Sequence, residues 1–157
     1  MAVAPHTSMY DVMIGFGARN HLNILHAKFL GKKELFKGPL GWLLRRLGGT
    51  PVDRHSKQGV VEQVAALFAA NENFLLALAP EGTRTKVDSL RSGFYHIART
   101  AQVPILPVGL DFKNKEVVIG ELLYPGNDEE ADFKKILAFF STMTGKHPEK
   151  DLRHLKE

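Results

Sequence analysis

His6 and Asp11 are separated by four residues in the segment HTSMYD near the start of the chain. A neutral imidazole can take a proton from an alcohol near pH 7 if its tautomer is held in place. A carboxylate bonded to the far ring nitrogen does this and stabilises the imidazolium that forms. The pair is a candidate general base with its orienter. The spacing alone is weak evidence, and the alternative is a helix cap or a structural surface pair.

Gly82, Thr83 and Arg84 form a candidate anion-binding turn in the segment APEGTRTK. A glycine lets backbone N–H groups approach a ligand, threonine adds a hydroxyl donor, and arginine presents a planar fork that matches phosphate. The alternative is an ordinary surface turn, which the same residue types favour. Lys86 adds charge to this segment or is simply solvated.

Two further candidates have less obvious roles. Arg54, next to Asp53, offers a second cation for a phosphate, and its alternative is an exposed Asp–Arg pair of little energetic value. Glu81 should repel a phosphate at the neighbouring turn, so it is expected to hold Arg84 or another cation in place. The sequence does not decide between these partners.

Four segments in this order resemble the lysophosphatidate (glycerolipid) acyltransferase family. They are HTSMYD, GGTPVDR (48–54), APEGTRTK (79–86) and VPILPVGLD (103–111), and the resemblance extends from Pro5 to about Asp111. It implies that His6 is the general base on the acceptor hydroxyl and that Asp11 orients it. It also implies that the acceptor phosphate is bound by Arg54 and by the block of Glu81, Gly82, Thr83 and Arg84.

The resemblance implies an O-acyltransferase of phospholipid biosynthesis. The donor is an acyl thioester, either acyl-CoA or acyl carrier protein, and the acceptor is a lysophospholipid such as 1-acylglycerol-3-phosphate. No cofactor other than the donor substrate is implied, and we see no metal site in the sequence. The alternatives are a noncatalytic phospholipid-binding module, thioester hydrolysis, or transfer to another lysolipid or alcohol. Ser8 is not expected to be a nucleophile, because no oxyanion motif surrounds it.

Typical members of the family are longer and begin with a membrane-anchoring region. Only five residues precede His6 here, so we expect either a short form without that anchor or a chain from which an N-terminal piece is missing. No apolar run approaches the roughly 20 residues needed to cross a bilayer. The absence of cysteine is compatible with a reducing cytoplasm. We expect a cytoplasmic protein that is soluble or lies on the cytoplasmic face of a membrane.

Charge is unevenly distributed along the chain. The net charge is +4, but residues 1–60 carry +6 and residues 61–157 carry −2. The segment from Leu30 to Leu47, LGKKELFKGPLGWLLRRL, mixes cations with Trp42 and leucines, which suits contact with anionic lipid headgroups. The alternative is a short helix whose Trp42 and leucines enter the core. Nucleic acid is not expected as a partner, because no nucleic-acid motif accompanies the cations.

Hydrophobic patterning predicts alternating strands and helices in one acyltransferase domain, residues 1–157. Ser8 is the expected N-cap of the first helix, and FLLALA (74–79) is typical of a strand covered on both faces. The expected strands are 1–4, 23–30, 50–52, 74–79, 105–111 and 116–119, and the expected helices are 9–21, 57–71, 91–102 and 131–142. The predicted fold class is α/β: a largely parallel mixed sheet covered by helices, in a three-layer sandwich.

The candidate residues follow predicted strands. His6 comes after the first strand, Arg54 after the third and Glu81 after the fourth. Ligands of open α/β sheets bind in the crevice beyond the carboxyl ends of the strands. The sequence therefore predicts that these side chains surround one crevice.

Overall fold

A mixed six-stranded sheet lies between two layers of helices in the computed structural model, which describes residues 1–56, 58–82 and 86–155. The strands are β1 (Ala2–Val3), β2 (Lys28–Lys32), β3 (Gly49–Val52), β4 (Leu76–Leu78), β5 (Leu106–Asp111) and β6 (Glu116–Ile119). The helices are α1 (Met9–His21), α2 (Gly38–Arg46), α3 (Val60–Ala69), α4 (Gly93–Ala101) and α5 (Glu129–Phe140), with short 3₁₀ turns at Lys33–Phe36, Pro148–Lys150 and Leu152–Leu155. The predicted fold class is confirmed.

The sheet order is β3-β2-β4-β1-β5-β6, and only β6 runs antiparallel to its neighbour. The crossovers from β1 to β2 and from β2 to β3 step in one direction, whereas those from β3 to β4 and from β4 to β5 step in the other. Because such crossovers are right-handed, α1 and α2 cover one face of the sheet and α3 and α4 cover the opposite face. The carboxyl ends of five strands meet at one edge.

Most predicted elements are present with shifted ends. The first helix has the predicted bounds, and Ser8 is its N-cap, with its hydroxyl accepting from the Tyr10 N–H at 3.1 Å. The second strand begins at Lys28 rather than residue 23, because Asn23 adopts a left-handed conformation (φ 59°) in the turn that ends α1. Helix α3 begins at Val60, and the predicted start at Lys57 lies outside the described residues.

The core lies mainly between the sheet and the layer of α3, α4 and α5. Tyr95 of α4 is fully buried, and its hydroxyl donates to the Asp132 carboxylate of α5 at 3.0 Å. The same carboxylate accepts from the Gly126 N–H at 2.9 Å. A buried carboxylate is stable only when it is hydrogen-bonded, so this network fixes α5 against α4.

The layer of α1 and α2 is thin, and one prediction about it is wrong. Leu76 and Leu78 pack towards the α3–α4 layer, so Ala77 points to the other face, where it is exposed although β4 is an interior strand. The strand is therefore not covered on both faces. The sequence left two interpretations of the 30–47 segment open, and the one in which Trp42 and the leucines enter the core does not hold. Trp42 is 64% exposed, and Phe36 is the apolar side chain of 33–46 that is buried. None of the described helices is long and apolar enough to span a bilayer.

Candidate active site

The loops after β1 and β4 are joined at the carboxyl edge of the sheet. These strands are parallel neighbours, so His6 and Glu81 each follow an adjacent strand. The backbone N–H of His6 donates to Oε1 of Glu81 at 3.2 Å, across 75 residues of sequence. Two of the predicted site segments therefore meet, as their placement after strands predicts.

The imidazole of His6 faces the carboxylate of Asp11. Nδ1 of His6 lies 3.4 Å from Oδ2 of Asp11, and the side chains are 22% and 6% exposed. An Nδ1–H directed at this oxygen leaves Nε2 as the proton acceptor. This is the arrangement that a general base needs, with one nitrogen bound to a carboxylate and the other available to a hydroxyl.

Asp11 also caps α1. Its Oδ2 accepts from the N–H groups of Thr7 at 2.6 Å and Ser8 at 2.7 Å, which completes a capping box with the Ser8 hydroxyl. Burial raises the pKa of Asp11, but the hydrogen bonds from His6, Ser8 and Thr7 outweigh it and hold the pKa below its usual value. Asp11 is therefore an anion at neutral pH, and the start of the helix fixes the oxygen that faces the ring.

Asp11→Asn is expected to separate these two roles. The amide loses a charge-assisted cap, at a cost of about 1 kcal/mol. Its N–H can also donate to Nδ1, which leaves the ring in the wrong tautomer, and we expect kcat to fall about 10²-fold or more. Thermal unfolding and kcat are measured on the same preparation.

Asp128→Asn provides the matched control. Asp128 is the exposed N-cap of α5 and accepts from the Ala131 N–H at 2.9 Å, so this variant also loses a charged cap. Equal kcat values in the two variants would mean that Asp11 is a helix cap and nothing more.

Glu81 is a buried carboxyl group beside this pair. It is 2% exposed, and burial raises its pKa from 4.5 to about 7, although hydrogen bonds including that from His6 lower it in part. Within residues 1–56, 58–82 and 86–155, Oε2 makes no hydrogen bond. The sequence left open which cation Glu81 holds, and Arg84, the partner it named, lies outside the described residues. Among the described residues, Glu81 accepts a hydrogen bond from the backbone N–H of His6.

The turn after Glu81 favours glycine. Gly82 has a φ of +64°, which is costly for any residue with a side chain, and its N–H donates to the Ala79 carbonyl at 3.2 Å. Thr83 and Arg84, the other predicted phosphate ligands of this turn, lie outside the described residues. Arg91, which the sequence motifs did not single out, places its Cδ 3.3 Å from the position that a Cβ on Gly82 would occupy. The one sequence feature that could have pointed to Arg91 is its position just before α4.

Arg54 lies farther from His6 than Glu81 does. It follows β3, which is three strands away from β1, so their carboxyl ends are roughly 14 Å apart. The loop is held by Gln63 of α3, whose amide accepts from the Asp53 N–H at 3.1 Å and donates to the Asp53 carbonyl at 2.8 Å. Asp53 pairs with Lys33 at 3.2 Å, and the hydrogen bond from the His55 N–H together with Lys33 lowers its pKa. The exposed Arg54 is thus on the same edge without touching the His6–Asp11 pair.

Together these features define an α/β protein with a histidine–aspartate pair at the carboxyl edge of its sheet. Residues 1–111 match a family model described as Acyltransferase. The match covers more than two thirds of the 157 residues and contains all four motifs, so the chain belongs to the acyltransferase family. Searches of curated proteins and of solved structures gave no match.

Proposed function

We propose that the chain is an O-acyltransferase that moves a fatty acyl group from a thioester to a hydroxyl of a phosphate-bearing acceptor, with 1-acylglycerol-3-phosphate as the model acceptor and acyl-CoA or acyl carrier protein as the donor. Membership of the family supports acyl transfer in general. The observation that carries the finer proposal is the 3.4 Å approach of His6 Nδ1 to the buried Asp11 carboxylate, beside the glycine turn.

In the proposed reaction, Nε2 of His6 takes the proton of the acceptor hydroxyl as its oxygen attacks the thioester carbonyl. Asp11 stabilises the imidazolium that results. The tetrahedral intermediate then expels the thiolate by breaking the C–S bond, and the proton passes from His6 to sulfur. The products are an oxygen ester and a free thiol, and His6 is returned to its neutral form.

The phosphate of the acceptor is proposed to bind where the loops after β3 and β4 end. Gly82, Thr83 and Arg84 would supply the glycine turn and one cation, and Arg54 would approach from the third strand. Fixing the phosphate would fix the distance from the hydroxyl to the thioester carbonyl, which is a large source of rate enhancement. Glu81 is assigned to the His6 backbone rather than to the phosphate, because it already accepts the His6 N–H.

The test is an acceptor panel with radiolabelled acyl-CoA and acyl carrier protein, resolved by lipid chromatography. We expect labelled ester with 1-acylglycerol-3-phosphate and far less with monoacylglycerol, which has the same hydroxyl but no phosphate. Label that appears only as free fatty acid would make the protein a thioester hydrolase. Label that stays in the thioester with every acceptor would leave a phospholipid-binding module.

A further inference from the structure

The segment that contains α1 and α2 carries most of the exposed large hydrophobic side chains of the described residues. Eleven of their fifteen exposed large hydrophobic side chains fall within residues 9–47, which form less than a third of the chain. They are Met9, Tyr10, Val12, Met13, Leu22, Leu25, Leu35, Leu40, Trp42, Leu43 and Leu47. Soluble proteins rarely leave such a concentration uncovered unless it contacts a partner.

These side chains form two stripes. Met9, Val12 and Met13 have the i, i+3, i+4 spacing of one outward face of α1. Leu40, Leu43 and Leu47 follow at i, i+3 and i+7 along α2 and its C-cap, so they also share one side of that helix. The two helices cover the same sheet face, and Arg19 of α1 donates to the Leu47 carbonyl at 2.7 Å, which joins α1 to the end of α2. The stripes therefore lie on one side of the molecule.

The charges on this side are strongly positive. Residues 9–47 contain seven Lys and Arg but two Asp and Glu, and one of these acids, Asp11, is buried. Lys32, Lys37 and Arg46 are exposed around α2, and the Arg46 guanidinium lies 5.6 Å from the centre of the Trp42 ring. Apolar side chains bordered by long cations suit an interface between acyl chains and anionic headgroups.

We propose that the α1–α2 face docks on an anionic phospholipid surface. Trp42, the methionine-containing stripe of α1 and the leucine stripe of α2 would enter the headgroup region. A second copy of the chain fits less well, because a two-fold interface would bring the same cations of both copies together. The face begins at Met9, three residues after His6, so docking would place the candidate base beside the lipid. Vesicle binding itself does not require acyl transfer, so the proposal stands apart from the proposed reaction.

Trp42 is the single tryptophan of the chain, so its fluorescence emission reports on this face alone. The experiment mixes the full chain with vesicles of phosphatidylcholine alone or with roughly one third phosphatidylglycerol, a composition that gives an anionic surface. We expect flotation with the anionic vesicles, weakening at high salt, and a blue shift of Trp42 emission on binding. Equal binding to both vesicles, no binding to either, or unchanged emission on binding would overturn the proposal.

Paired variants locate the surface. Arg46→Glu should weaken binding to the anionic vesicles about 25-fold, at roughly fivefold for each unit of charge, whereas Arg99→Glu on α4 makes the same charge change on the opposite face. Leu40→Glu is paired with Leu122→Glu, since the two leucines are 55% and 53% exposed. Equal effects within either pair would contradict docking through α2.

Two further measurements distinguish lipid docking from catalysis and from self-association. His6→Ala should bind vesicles as the unchanged chain does, so a failure of the proposed reaction leaves this result intact. Sedimentation without lipid should give a monomer. A dimer that Leu40→Glu dissociates would mean that this face binds a second copy, and the membrane proposal would be wrong.

Discussion

His6→Ala is expected to lower the rate of acyl transfer by about 10²–10⁴-fold and to leave the fold intact. The imidazole is the group that would take the hydroxyl proton, and alanine has nothing that can do so. Its removal disturbs little else, because the His6 interaction with Glu81 is made by the backbone N–H and the Asp11 cap uses Thr7 and Ser8. The measurement is kcat for ester formation with the preferred acceptor, together with thermal unfolding.

His96→Ala is the matched control, because His96 is exposed on α4, on the opposite face of the sheet from α1. Affinity for the acceptor should change little in either variant, since the phosphate is proposed to bind elsewhere. A His6→Ala protein that forms ester at the original rate would exclude His6 as the base. A protein that unfolds would be replaced by His6→Gln, which keeps most of the side-chain volume without a titratable ring.

Glu81→Gln is expected to stabilise the protein at pH 8 and to leave its stability nearly unchanged at pH 5. The pKa of Glu81 is about 7 in the folded state and 4.5 ordinarily, because burial penalises the anion. Between these values the folded state binds more protons than the unfolded state, so the free energy of unfolding falls as pH rises. The loss begins near pH 4.5 and is complete above about pH 7, and it is on the order of 3 kcal/mol.

Glutamine keeps an acceptor for the His6 N–H but cannot ionise, so its variant lacks this loss. The free energy of unfolding of both proteins is measured by denaturant titration from pH 5 to pH 8. Taking the difference removes the contributions of ionisable groups that do not interact with Glu81. Asp11 does not interfere, because its pKa is lowered and its contribution is lost only under more acid conditions. Parallel curves for the two proteins would contradict a neutral buried Glu81, and Glu72→Gln, on an exposed turn, should give such parallel curves.

Local signals predicted α1 and its start, but not the partner of Glu81. The cap of α1 involves Ser8, Tyr10 and Asp11, which are close in sequence and have the residue types that capping requires. The hydrogen bond from His6 to Glu81 joins segments that are brought together by the pairing of β1 with β4, and no local pattern contains that pairing. The charge of Glu81 suggested a cationic partner, whereas burial favours its neutral form.

The exposed α1–α2 face shows another limit of the sequence. Periodicity identifies which residues are apolar, but it does not reveal whether another layer covers them. Trp42 and Leu40 were equally compatible with a core helix and with a lipid surface. The structure decides between them: Phe36 is the buried apolar side chain of the 33–46 segment, and Gly41 packs so closely on the Phe36 backbone that a Cβ would clash there.

The double role of Asp11 explains why four residues separate the aspartate from the histidine. The carboxylate stands at the third position of α1, and Ser8 is the cap, so a ring that shares this oxygen must sit two residues ahead of the cap. Shortening or lengthening the interval by one would place the acid on another side of the helix, or the ring beyond its reach. The four-residue interval is thus set by the geometry of the capped helix and does not depend on the substrate.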